Sequence, residues 1–266
     1  MFRLYTRLIS IRIRSQMQYP LSFLFDTLGS GFGTLSEFIA LWAVFTRFGT
    51  VGGWTMPEVA LLYGLAETSF ATMDMVFSGY DPTFFSTQIQ RGMFDQMLLR
   101  PLSLPVQIFG SEFIVRRLGR IGQGLAVLLL SFFLNPIQWT LVKIILVPIV
   151  IVSTIAFFGG LFIVGATICF WTVESLEAIN IFTYGGTTMI SYPMHIYGDW
   201  VRRFFTFVVP AALLTYYPAL YFLGKPDPFG MPPVMPFLAP VAGFAVLATA
   251  FAFWQVGVRH YQSTGS

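Results

Sequence analysis

The sequence predicts an all-α polytopic membrane protein. It should have six transmembrane helices, an N-terminal interfacial helix, a helix on the inner side and a re-entrant hairpin on the outer side before the last span. Three observations carry this. The chain is 56% hydrophobic and only 10% charged, where a soluble domain carries about 25% charged residues. Its 30 Phe in 266 residues exceed what one water-soluble core of this size can bury. Seven stretches are apolar enough to enter a bilayer, where a spanning helix needs about 20 apolar residues. Lipid satisfies no backbone N–H or C=O, so these segments must be helices, and the period-two alternation of a membrane barrel is missing. One membrane domain is expected over residues 1–266.

Taken in order, residues 1–20 come first. Arg3, Arg7 and Arg14 recur at spacings of four and seven, with Leu4, Leu8, Ile9 and Ile11 between them. This suits a helix in the headgroup plane, cations toward anionic lipid; a plain basic tail is the simpler alternative. The apolar candidates are 21–46, 57–77, 118–134, 139–171, 178–198, 204–223 and 237–258. The third is short unless its helix begins earlier, through 104–117. The sixth contains Pro210 and Pro218, and proline removes a backbone donor and clashes one turn back, so no regular helix runs through it. It reads as an outer re-entrant hairpin, leaving six crossings; a true seventh span is the competing reading.

Orientation follows the cations, which concentrate on the cytoplasmic side. Arg3, Arg7, Arg12 and Arg14 place the N-terminus inside, with Arg91, Arg100, Arg116, Arg117 and Arg120 after the second span and Arg259 in the tail. Arg47, Lys143, Arg202, Arg203 and Lys225 fall outside or at the outer edge. Both termini are therefore expected in the cytoplasm. Trp42, Trp54, Trp139 and Trp200 fall near the expected outer edges, as interface anchors would.

Several chemistries lack their residues. No G-x-x-x-x-G-K-[ST] loop occurs; the one Gly-Lys pair, Gly224–Lys225, is followed by proline, so no phosphate cradle is expected. Neither His195 nor His260 belongs to a metal-ligand motif, and His195 suits an interfacial hydrogen-bonding role. Cys169, alone, excludes an intrachain disulfide. No G-x-S-x-G turn is present. No catalytic residue, metal, bound cofactor or nucleic-acid partner is expected.

Residues 86–101 are an unusually polar island. Ser86 or Thr87 can cap a helix and Pro101 disfavours helix at Arg100. Ile89, Met93, Phe94, Met97 and Leu98 form an apolar stripe near helical spacing, while Gln88, Arg91 and Asp95 point elsewhere. Such a helix either lies on lipid or docks in a groove of a soluble partner.

At these residues "GMFDQMLLRPLS" resembles the cytoplasmic segment of type-two, exporter-type ABC transporter permeases. "FWTVESLEAINIFTYGG", "YPMHIYGDWVRRFFTFVVPAALLTYYPALYFLG" and "GVRHYQSTGS" are similar to a bacterial subfamily of six-span permeases of that class. The resemblance covers essentially the whole chain. It implies that Gln90, Arg91, Gly92, Phe94, Asp95, Leu98, Leu99, Arg100 and Pro101 form or brace a coupling helix against an ATPase subunit. It implies that residues 1–20 are an elbow helix and 204–223 an outer re-entrant element. It further implies two ATPase copies, which would hold ATP and Mg, and a second permease chain, identical or different. With no fused ATPase in the sequence, these partners are expected in trans, in a bacterial plasma (inner) membrane.

Acids inside spans cost about 2.5–3.5 kcal/mol each on insertion scales and normally face protein or water. Glu37, Glu67 and Asp74 qualify; Glu67 and Asp74, two helical turns apart, share a face. They either line a transport path, attracting a cationic amphiphile, or pair with Arg12, Arg14 or the arginines at 116–120. Glu174 and Glu177 fall in the inner loop between the fourth and fifth spans. Gly29 and Gly33, one turn apart, mark a candidate seam between two permease halves, and Gly159, Gly160 and Gly165 mark internal packing. The function expected is ATP-driven efflux of a hydrophobic, amphiphilic or cationic compound; a secondary transporter or channel working without an ATPase is the alternative, and a lipid-modifying enzyme lacks its chemistry here.

Overall fold

The computed structural model describes residues 2–174 and 177–263, with side chains from Tyr5 onward. Ser175, Leu176 and the last three residues of the "GVRHYQSTGS" tail lie outside the described residues. Twelve α-helices appear among those described, with no strand beyond an isolated Val51–Trp54 bridge.

A basic amphipathic helix, α1 (Phe2–Gln16), leads into α2 (Pro20–Phe48). Next come α3 (Met56–Val76), the short helices α4 (Pro82–Gln90), α5 (Met93–Leu99) and α6 (Leu104–Ser111), then α7 (Leu118–Leu134) and α8 (Leu141–Thr172). The chain ends with α9 (Glu177–Ile190), α10 (Asp199–Arg203), α11 (Tyr216–Leu223) and α12 (Ala239–His260). Among the described residues four stretches are long and apolar enough to cross a membrane, α2, α7 with its leading turn, α8 and α12, and the bent pair Asp199–Val208 with Ala211–Leu223 is a fifth if it counts as one span. The chain is a multi-pass, all-α membrane protein.

α3 is 21 residues long but dilutes its apolar character with Glu67, Thr68, Ser69, Thr72 and Asp74. It compensates by position, being buried along almost its whole length between α7, α8, α9 and α2. Glycines set how closely its neighbours come. A Cβ on Gly64 would stand 2.7 Å from the Leu128 backbone, and one on Gly124 would stand 2.8 Å from Thr68 N. α8 and α12 meet the same way, at Gly160 against Leu247 and Gly243 against Ser153.

Several expectations change. α9 covers only 14 residues, about 21 Å at 1.5 Å per residue, and a turn at Met194–Ile196 replaces the rest of the expected 178–198 span. α7 does not extend back through 104–117; Glu112 is extended and separates it from α6. The expected 86–101 helix is two helices. α4 begins at Pro82, where Asp81 rather than Ser86 or Thr87 caps it by accepting from Thr83 N and Phe84 N. It breaks at Gly92, whose φ of +63° is left-handed, a conformation glycine adopts without steric penalty. α5 stops at Leu99, with Arg100 extended ahead of Pro101, as the clash between a proline and its predecessor requires. Between Asp199–Val208 and Ala211–Leu223 the chain bends by 78° at Pro210.

Candidate functional site

Several side chains anchor the polar island in the bundle, Phe94 foremost among those of α5. Phe94 is completely buried, with ring centroids 5.7 Å from Phe85, 5.0 Å from Phe170 and 4.8 Å from Tyr261. α5 thus rests on the C-terminal ends of α8 and α12. Around it Leu98, Leu99, Arg91 and Arg100 stay exposed, Leu99 at 86%. Of the expected apolar stripe, Ile89, Phe94 and Met97 turn inward while Met93 and Leu98 face out. A large apolar residue left uncovered by a short, well-anchored helix suits a lipid surface or a partner.

Hydrogen bonds fix the rest of this region. Gln90 Nε2 donates to Val173 O at 3.2 Å, tying α4 to the end of α8. Gln107 Nε2, from buried α6, donates to Met97 O and Leu102 O and so holds the turn at Arg100–Ser103. Ser263 Oγ donates to Asp95 Oδ2 at 2.7 Å, folding the tail back onto α5. Burial and the nearby Asp95 carboxylate push the Tyr261 hydroxyl up to about 12. Gln107 and Tyr261 were not singled out by sequence; a lone polar residue in an apolar octapeptide was the only hint of Gln107.

α1 lies against α6, with Leu8 filling the space at Gly110. Arg7, Arg12 and Arg14 are exposed, Arg12 reaching 3.9 Å from Glu112. Gln16 uses both ends of its amide, accepting from Val115 N and donating to Phe113 O.

Of the three intramembrane acids, two are paired. Arg120 Nη2 and Nε both reach Glu67 Oε2, at 2.8 and 3.3 Å. Arg117 Nε lies 2.7 Å from Asp74 Oδ2, without the alignment of a hydrogen bond. Two ion pairs thus tie α3 to this segment, one from Arg120 on α7 and one from Arg117 in the turn just before it. Glu37 makes no ion pair or hydrogen bond among the described residues. It borders two cavities: a polar cleft of about 370 Å³ shared with Gly29, Gly33, Glu67, Arg120 and Thr187, and an apolar groove of about 470 Å³ running outward beside Leu41, Val44 and Ile196.

Gly29 and Gly33 face open space; it is Gly31, between them, that packs internally, where a Cβ would stand 2.9 Å from Gly119 O. Gly159 and Gly165 do serve internal contacts, against Phe77 and Pro82. Between α8 and α9 Glu174 offers its carbonyl to Thr172 Oγ1, while Glu177, expected in this loop, instead opens α9 and accepts from Asn180 Nδ2.

At the opposite end Lys225 gathers three segments. Its Nζ donates to Glu58 Oε2 at 2.7 Å and Gly53 O at 2.9 Å, and lies 4.7 Å from the Trp54 ring centroid. Trp54 is buried rather than an exposed anchor, stacking on His195 at 6.2 Å; Trp42, Trp139 and Trp200 remain exposed. His195 Nε2 is buried without an aligned hydrogen bond, while the ring lies against the backbone of Val51 and Gly52. Glu58 also accepts from Thr55 N, closing the capping box at the start of α3.

Comparison with known proteins gives this arrangement its context. A family model described as "ABC-2 family transporter protein" matches residues 33–265. No curated protein and no solved structure matches the chain. Permeases of this family are membrane subunits without a nucleotide-binding domain of their own, and work with an ABC ATPase. The chain belongs to the ABC-2 transporter family, as a membrane permease subunit of an ABC transporter.

Proposed function

We propose that this permease is one half of an ATP-driven exporter, with α4–α5 as its coupling element. The observation that supports this most is the exposed Leu98–Leu99 edge of α5, carried on a fully buried Phe94. Leu98, Leu99, Arg91 and Arg100 meet the ATPase; Gln90, Gly92, Asp95 and Pro101 set the shape of the contact. The ATPase holds ATP and Mg, in two copies per complex. A second permease, identical or different, packs along the open Gly29–Gly33 face of α2.

In this reading α2, α3, α7, α8, α9 and α12 are the six crossings, and the 78° elbow at Pro210 is an outer re-entrant element within 204–223. α1 lies in the inner headgroup plane and both termini are cytoplasmic, in a bacterial plasma membrane. ATP binding draws the ATPases together and displaces α5. Phe94 passes that motion to α8 and α12, and the two bundles rock between inward- and outward-facing states. A ligand shifts such an equilibrium only by its differential affinity for the two states, so the substrate must bind the two faces unequally.

The test is ATP hydrolysis by the reconstituted complex. Leu98→Asp and Asp95→Ala should each depress it, the former by about tenfold or more because it buries a charge at an apolar contact. Hydrolysis unchanged in both variants overturns the coupling assignment.

A further inference from the structure

The two ion pairs of α3 leave an imbalance beside them. Glu67 is neutralised by Arg120 and Asp74 by Arg117, so neither guanidinium is left over to receive an anion. Glu37, which lines the same polar cleft, has no ion-pair partner of its own among the described residues, because the Arg120 guanidinium whose field reaches it is held by Glu67. It stands on the same face of α2 as Gly29 and Gly33, at successive four-residue steps. It is also the one residue that lines both the polar cleft and the apolar groove. That groove is walled by Leu41, Val44, Phe45, Val59 and Ile196.

A carboxylate at the mouth of an apolar channel, with a polar chamber on its other side, defines a complementary shape. From it we infer that Glu37 anchors the positive charge of a singly charged cationic amphiphile, whose hydrocarbon lies outward along Leu41, Val44 and Ile196. An anionic amphiphile would bring its charge against Glu37 and find both arginines engaged. A small inorganic cation would leave the groove unfilled. This assignment rests on the transport reading above and names the substrate class for it.

Binding to the permease alone, reconstituted in nanodiscs of zwitterionic lipid, tests the site without an ATPase. The probe is the monocationic dye rhodamine 6G, followed by fluorescence anisotropy against permease-free nanodiscs. Dodecyltrimethylammonium and dodecyl sulfate serve as competitors. We expect saturable binding that dodecyltrimethylammonium displaces and dodecyl sulfate does not. Glu37→Gln should weaken it by about tenfold or more, as expected for truncating a charged partner, and Glu37→Asp should restore much of it. Ala40→Lys, at an exposed position one turn away, should also weaken binding by supplying the cation internally. Val44→Trp, which fills the groove, should reduce binding while leaving Glu37 in place. Equal affinity in wild type, Glu37→Gln and Ala40→Lys, or equal competition by dodecyl sulfate, overturns the inference. Intact Glu37-dependent binding without ATP-dependent transport would instead refute the exporter reading and leave the site standing.

Discussion

Glu67 and Arg120 meet on facing turns of α3 and α7, where neither is easily replaced alone. Removing one partner strands the other charge away from water, at a cost of about 3–5 kcal/mol for a buried pair. Glu67→Ala should therefore lower the unfolding free energy in mild detergent by about 3 kcal/mol, and Glu67→Ala with Arg120→Met should recover part of it. A double variant no better than the single would mean that the pair is not coupled. Val173 offers a contrasting case. Its φ of +60° is unusual for a β-branched residue, and that conformation costs an L-residue roughly 1–2 kcal/mol. Val173→Gly should stabilise the chain modestly, by about 1 kcal/mol or less after glycine's own entropy is counted. At this scale the sequence was informative about charge and silent about partners. An acid inside an apolar run faces protein, water or a cation, and for Glu67 and Asp74 the arginines at 116–120 were a ready supply. That Glu67 takes Arg120 while Asp74 takes Arg117 depends on the α3–α7 register, which no local pattern encodes.

The inner-face element is a broken helix rather than a rod. Gly92 lets α4 finish and α5 restart, so Phe94 points into the bundle while Leu98 and Leu99 point away. Gly92→Val should cost about 1–2 kcal/mol through its left-handed φ and uncouple ATP hydrolysis from the permease with little loss of folded protein. Normal coupling in that variant would show that the break is dispensable. The stop at Pro101 was legible because proline acts on its neighbour. The break was not, since a glycine inside an amphipathic stretch is equally compatible with a continuous helix. The α2–α7 crossing behaves similarly. Gly29 and Gly33 carry the recognisable spacing, yet the close approach falls on Gly31 and Gly119, which lie 88 residues apart in sequence and have no shared motif. Gly119→Leu should separate the two helices and reduce the yield of monodisperse protein several-fold, whereas Gly29→Leu should leave the lone chain intact.

For the whole molecule, composition decided the class and left the path of the chain to packing. Apolar length identified α2, α8 and α12 directly. It overestimated the candidate at 178–198, because Tyr192, Pro193 and Ile196 are apolar enough to extend a span but leave the helix for a turn. Sidedness is open to a direct check. Cys169 is buried and should contribute little background labelling. Leu99→Cys should react with a membrane-impermeant maleimide only from the cytoplasmic side, and Trp200→Cys only from outside. Reaction of both from one side would invalidate the six-crossing arrangement.

The attachment of the first long helix has a practical consequence. Of the 29 residues of α2, only Thr34, Leu41 and Phe45 are buried, so it leans on the bundle at a glycine crossing and a few side chains toward its C-terminal end. Purified singly, the subunit would shed this helix before anything else melts. Limited proteolysis would then nick first near Met17–Tyr19 and Gly49–Thr50, releasing a fragment that a companion subunit or retained lipid would otherwise keep in place.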